Sequence, residues 1–187
     1  MNVYSYVITH DAGFAPNPFG GFLTLATCKP KIRLRAHSGD FIVGTGSTAT
    51  VGNMKMVYAA KVDETVTLEE YGQSPEYEVK KPSMRGESWR MHGDNIYFAI
   101  GETWKQRRNR YHQRDAMEHD LGGKNALVCK HFWYFGSDAI EIPPNLQSTV
   151  KKGPGHKRIL DPIVYSNLTR WLESIPEGIH GQPEMKI

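Results

Sequence analysis

Eleven prolines and eighteen glycines interrupt this chain of 187 residues, leaving room for many turns and little long helix. Between the interruptions the apolar runs are short and rich in β-branched and aromatic residues. Residues 3–9, VYSYVIT, read as a buried first strand, and the turn-forming stretch HDAGFAPNPFGGF after them must be a loop. Residues 23–28 read as a strand or a short helix, and Pro30 separates them from 31–36, where basic and apolar residues alternate. A Ser38-Gly39-Asp40 turn launches a strand over 41–44. A loop of small residues runs to Asn53, and an alternating strand covers 54–62. Thr67 and Glu70 have the spacing of a capping box and predict a short helix. Residues 95–100 read as a strand, and 126–135 as a strand pair or one bent strand. Two stretches, 73–94 and 101–125, are irregular or helical excursions. Asp161 caps an amphipathic helix with Pro162 in its first turn and Ile163, Val164, Leu168, Trp171 and Leu172 on one face. Residues 176–187 read as a loosely packed tail. Strands joined by short turns, with few helices, predict an α+β chain built on a curled antiparallel sheet or small barrel.

The length fits a single domain, residues 1–187, able to bury its own core. No run approaches the length of a membrane span, and the N-terminus lacks a signal-peptide core. Cys28 and Cys129 sit in apolar surroundings without CxxC spacing, so buried free thiols in a reducing, cytoplasmic compartment are expected. A net charge of +3 is too small to identify a nucleic-acid partner. Its distribution says more: Lys105, Arg107, Arg108, Arg110 and Arg114 fall within ten residues with no acid among them, and Trp104 and Tyr111 are interleaved. Cations of this kind neutralise phosphates and aromatic rings stack on bases, although a solvated helix face has the same composition.

Three further constellations carry chemistry. His10 and Asp11, at a strand end before a rigid loop, can form an acid–base pair; with Asn17, His10 can instead bond a base edge while Phe14 or Phe19 stacks on its face. The plain alternative is a turn cap and a hydrophobic plug. The Gly44-Thr45-Gly46-Ser47-Thr48 loop lets a ligand approach the backbone closely, or simply provides hairpin geometry. His112, Asp115 and His119 have a loose metal-ligand spacing in a charge-rich context that favours surface residues, so no metal and no cofactor is assigned.

The block formed by Gly39-Asp40, Phe41-Ile42-Val43-Gly44, Met56-Val57-Tyr58-Ala59-Ala60-Lys61-Val62 and Glu69-Glu70-Tyr71 resembles the central hairpin of PUA-like folds, including the EVE and ASCH families. The opening YVITHDAGFAPNPFGGFLTLATCKPKIR, with GDFIVGTGS, VYAAKV, GDNIYF and FWYFG, is similar to the second of the nucleotide-modification-associated domain families over about residues 1–142. The resemblance implies a small, mostly antiparallel PUA/EVE-like barrel with a few short helices and a C-terminal helix. It also implies a role in a DNA base-hypermodification or phage-defence system. On that reading a modified nucleobase is held in the barrel cleft by His10, Asp11, Phe14, Asn17, Phe19, Thr45 and Ser47, with Asn95 and Tyr97 on an adjacent strand. Lys105, Arg107, Arg108, Arg110 and Arg114 hold the backbone. DNA is favoured over RNA, and a modified nucleotide or partner proteins of a modification system are the other expected partners. The alternative is an enzyme that processes a nucleotide with His10 and Asp11 as its acid–base pair.

Overall fold

The computed structural model describes residues 1–184. β1 (Val3–Val7) leads through a long loop to β2 (Leu23–Leu25) and α1 (Pro30–Arg33). β3 (Phe41–Thr45) and β4 (Lys55–Lys61) form a hairpin, and β5 (Glu64–Thr67) runs into α2 (Leu68–Gln73). β6 (Tyr97–Ile100) and β7 (Thr103–Gln106) turn tightly through Gly101, at φ 56°, before α3 (Met117–Leu121). β8 (Asn125–Cys129) and β9 (His131–Tyr134) are separated at Lys130, so the run 126–135 is a strand pair. β10 (Ile140–Glu141), β11 (His156–Ile159), α4 (Pro162–Glu173) and β12 (Gly178–Ile179) complete the order.

The main sheet runs β11-β1-β3-β4-β9-β12, with β10 also paired to β4. β1 lies parallel to β3, Tyr4 opposite Ile42, and β12 lies parallel to β9; the other pairings are antiparallel. A second sheet is ordered β2-β8-β5, and β6 and β7 pair only with each other. The chain is α+β and its strand pairings are mostly antiparallel, as expected, but the curled barrel is not present. The sheet is mixed and open, ending at β11 on one side and β12 on the other. The parallel β1–β3 pair accounts for the difference. Parallel neighbours cannot be joined by a tight hairpin, so the chain leaves the sheet after β1 and returns through β2 and α1.

β1 is buried along nearly its whole length because both faces of the sheet are covered. On one face Tyr4, Tyr6, Ile42, Tyr58 and Tyr134 pack with Leu23, Leu25 and Leu127 of the second sheet and Ile32 of α1. On the other, Val3, Phe41, Val43, Met56 and Trp133 pack under Val164, Leu168 and Leu172 of α4 and Leu146 of a 3₁₀ turn. Alternation along each strand divides the residues between these two cores. Gly44 is fixed by this packing: a Cβ there would sit 2.4 Å from the Tyr58 ring and 2.5 Å from Ile8. The expected caps are in place, with Asp161 accepting from the Ile163 N–H at 2.8 Å and Thr67 from the Glu70 N–H at 3.1 Å. Within the expected tail, β12 joins the sheet and the Gln182 carbonyl accepts from the Ser137 N–H at 2.8 Å. Residues 185–187 of that expectation lie outside the described residues.

Candidate functional site

At the end of β1 the chain enters the 8–16 loop, and at the same end of β3 it enters the 46–54 loop. Beside them, Cys28 and Lys29 make the turn from β2 into α1 with two successive left-handed residues, φ 54° and 41°. Non-glycine residues resist this region, and an observed pair of this kind is held by its surroundings. The Cys28 N–H donates to Asp120 Oδ1 at 2.7 Å, and the Cys28 carbonyl accepts from Arg33 Nε at 2.7 Å. Arg33 is fully buried, and its guanidinium also donates to the carbonyls of Asn125, at 2.6 Å, and Asp120, at 2.5 Å. It therefore ties the Cys28 turn to α3 and β8. Gly123 leaves the space for it: a Cβ there would lie 2.4 Å from the guanidinium carbon.

These bonds bring three side chains into line. Cys28 Sγ lies 3.4 Å from His112 Nε2, and His112 Nδ1 lies 2.6 Å from Asp120 Oδ2. The same carboxylate oxygen accepts from Tyr97 OH at 2.8 Å. Asp120 is fully buried, whereas Cys28 and His112 are half-buried. Burial works against a charged imidazole, but the hydrogen bonds and charges of Asp120 and Cys28 more than offset it and push His112 up to about 10. Burial also opposes the charge on Asp120. The bonds from His112, Tyr97 and the Cys28 N–H nevertheless hold its carboxyl below the ordinary range. The Phe14 ring packs edge-on against the imidazole at 5.0 Å and is stacked with Tyr111 at 4.6 Å. The Asn109 side chain accepts from the His112 N–H at 2.7 Å and fixes the loop that presents the ring.

Cys28 and His112 open into a cavity of about 350 Å³ whose wall includes Tyr6, His10, Phe14, Lys29 and Tyr111. The thiol, a ring nitrogen of His112 and an Asp120 oxygen lie within 4.8 Å of one another, close enough to raise the question of a metal. The donor set argues against one. Asp120 bonds the far nitrogen of the ring, so a cation at the sulfur would gain Cys28 and His112 as direct ligands, with Asp120 behind them. Zinc centres use three or four protein donors. A cysteine–histidine–carboxylate relay, with a nucleophile, a ring that exchanges protons and a group that orients the ring, fits the geometry better.

Among the residues singled out from the sequence, His10 and Phe14 line this cavity, and Tyr97 supports it from behind through Asp120. Ser47 borders an adjoining cleft. The others lie elsewhere. Asp11 is buried and accepts from Tyr134 OH at 2.8 and 2.7 Å; burial pushes its carboxyl up, and no hydrogen bond joins it to His10 among the described residues. Asn17 is buried, donates to the carbonyls of Gly13 and His92, and accepts from the buried Lys80 ammonium at 2.9 Å. Phe19 stacks against Trp89, and the buried Thr45 hydroxyl donates to the Tyr6 carbonyl at 3.3 Å. The Asn95 amide donates to the carbonyls of Tyr71 and Tyr77. In the basic run, Arg107 is turned inward: it bonds the carbonyls of Asn95, Tyr97 and Gly72 and lies over the Phe98 ring. Lys105, Arg108, Arg110 and Arg114 are exposed, and Arg108 and Arg110 line a separate groove of about 740 Å³ with Met84, Met91 and Phe98.

Sequence reading missed Cys28 and Asp120 as functional candidates and weighed His112 only with Asp115 and His119, favouring surface residues for all three. Asp115 and His119 are exposed, whereas Asp120, one residue further on, faces inward. Cys28, expected as a buried free thiol, is half-buried at the cavity, whereas Cys129 is fully buried as expected. No curated protein and no solved structure matches this chain. A family model described as nucleotide modification associated domain 2 matches residues 1–187. The cavity that Cys28 and His112 open into is thus carried by a chain that belongs, over residues 1–187, to the nucleotide modification associated domain 2 family.

Proposed function

We propose that this protein is a thiol-dependent enzyme acting on a nucleotide or nucleobase, with Cys28 as nucleophile, His112 as proton carrier and Asp120 as the group that orients His112. The relay Cys28–His112–Asp120, opening on a cavity beside aromatic rings, carries this reading. His112 Nε2, 3.4 Å from the Cys28 sulfur, is placed to exchange a proton with it, and the thiolate is the attacking form of a cysteine. Attack on an electrophilic carbon of a base, or of a substituent on it, forms an S–C bond as the carbon's π bond opens. The electron pair moves to the attached nitrogen or oxygen, which takes the proton from His112 Nε2. Phe14 and Tyr111 supply apolar surface for a planar base, and His10 reaches the same cavity from the loop after β1.

Intact-protein mass spectrometry after incubation with nucleotides carrying carbonyl, amide or nitrile substituents tests this. An adduct or product that needs Cys28 and vanishes in Cys28→Ser is expected. Equal turnover by Cys28→Ser would remove Cys28 from the chemistry.

The second reading is a module that binds a modified base, in DNA before RNA, without changing it. The stacked Phe14–Tyr111 pair on the cavity wall favours it, with the exposed Lys105, Arg108, Arg110 and Arg114 as backbone contacts. It predicts binding that survives Cys28→Ser and no product from any nucleotide. A role within a hypermodification or defence system is compatible with either reading.

A further inference from the structure

Next to the thiol cavity lies a larger cleft of about 620 Å³, and Val7, Thr9 and Lys29 line both. The larger cleft is bounded by the loop after β3, which brings Ser47, Thr48 and Asn53, and by the 151–155 loop, which brings Lys151 and Lys152. Three cations and several hydroxyl or amide groups face it, and no carboxylate lines it among the described residues. Lys29, next to Cys28 in the chain, has its ammonium 4.6 Å from the centre of the Tyr6 ring, at the wall between the two spaces. The Lys151 ammonium bonds main-chain carbonyls of its own loop, at Lys152 and Gly153. Gly153 and Gly155, at φ 74° and 84°, let the loop turn there. His156, paired with Tyr6 across β11 and β1, registers the local field. Burial disfavours its cation, and Arg35, Lys31, Lys151 and Lys29 push it further below the ordinary range.

We infer that this cleft is a phosphate subsite, in which Lys29, Lys151 and Lys152 with the Ser47 and Thr48 hydroxyls hold the phosphate of a nucleotide whose base reaches Cys28. The inference rests on the thiol reading above and adds the substrate class: a phosphorylated nucleotide or a strand, rather than a free base. A phosphate monoester carries nearly two charges at neutral pH, more than a carboxylate, and suits a site with several cations and no acid. The combined space is of the size that holds a nucleotide rather than a small anion alone. The shared lining of Val7, Thr9 and Lys29 sets the two spaces side by side, within the reach of one nucleotide.

Isothermal titration of the full chain with thymidine 5′-monophosphate, thymidine and a single-stranded thymidine hexanucleotide tests it, alongside a Lys151→Ala/Lys152→Ala variant. In parallel, the alkylation rate of Cys28 by anionic iodoacetate is compared with that by neutral iodoacetamide. The monophosphate is expected to bind about tenfold or more tightly than the nucleoside, and the lysine variant to lose most of that margin. The iodoacetate-to-iodoacetamide ratio is expected to fall by about threefold or more in the variant. A hexanucleotide that binds more tightly than the monophosphate, with a steeper salt dependence, identifies a strand as the phosphate source; equal binding identifies a free nucleotide. Monophosphate and nucleoside affinities that are equal, or both undetectable, with an unchanged alkylation ratio, overturn the subsite. The thiol reading fails separately, if Cys28→Ser leaves product formation intact while the phosphate preference persists.

Discussion

His112 stands between a sulfur and a buried carboxylate, and each contact favours its protonated form. The folded chain therefore holds a proton on His112 that the unfolded chain releases near the ordinary histidine value. The resulting stabilisation is fully present below about pH 6.5 and is lost as pH rises through about 10. Asp120 runs the other way: its contribution is present above about pH 4 and is lost as pH falls through its depressed folded value. NMR of the His112 ring should show an imidazolium at pH 8, and the urea-stability gap between the protein and His112→Gln should shrink between pH 7 and pH 10. A ring that titrates near 6.5 would contradict the relay. Arg33 acts one step further back, on the carbonyls that hold Cys28 in its left-handed turn. Gly123→Ala forces a methyl against that guanidinium, with an expected cost of about 1–3 kcal/mol in chemical denaturation and slower alkylation of Cys28. Unchanged stability together with unchanged alkylation would show that Arg33 does not position the thiol.

Elements were legible where pattern and chemistry agree locally. The aromatic and β-branched run of β1, the Gly39-Asp40 start of β3, the Thr67 cap of α2 and the Asp161-Pro162 start of α4 all report their own structure over a few residues. What failed to show was pairing over distance. The parallel β1–β3 contact is set by long-range pairing that neither strand announces, so the sheet was read as curling into a barrel when it is open and mixed. The relay was hidden for the same reason: Cys28 and His112 are separated by 84 positions, and His112 is presented by a loop with no periodicity. Arg107 looked like a phosphate contact because charge runs do not reveal which guanidinium turns inward to bond carbonyls. The element that covers the far face gives a clean control. Leu168→Ala in α4 should cost about 2–5 kcal/mol, read by denaturation, because it leaves a cavity under a fully buried position. It should leave the rate of Cys28 alkylation in the folded protein unchanged, since α4 packs on the opposite side of the sheet from α1.

In the whole molecule, the sheets and the cores packed on them place residues from distant parts of the chain at one rim. β1 and β3 end side by side there, the Cys28 turn and the His112 loop meet beside them, and the 151–155 loop closes the cleft. No helix among the described residues is long and apolar enough to cross a membrane. On the proposed function, this convergence, and not the cysteine alone, makes Cys28 a nucleophile. Its most direct test is the rate of iodoacetamide alkylation at Cys28, site-resolved by mass spectrometry at neutral pH, in three samples: the folded protein, the urea-unfolded chain and folded His112→Gln. Folding is expected to raise the rate about tenfold or more and His112→Gln to remove the gain, with Cys129 protected in both folded samples. A folded protein whose Cys28 reacts no faster than the unfolded chain, or as fast without His112 as with it, would show that the fold does not activate Cys28.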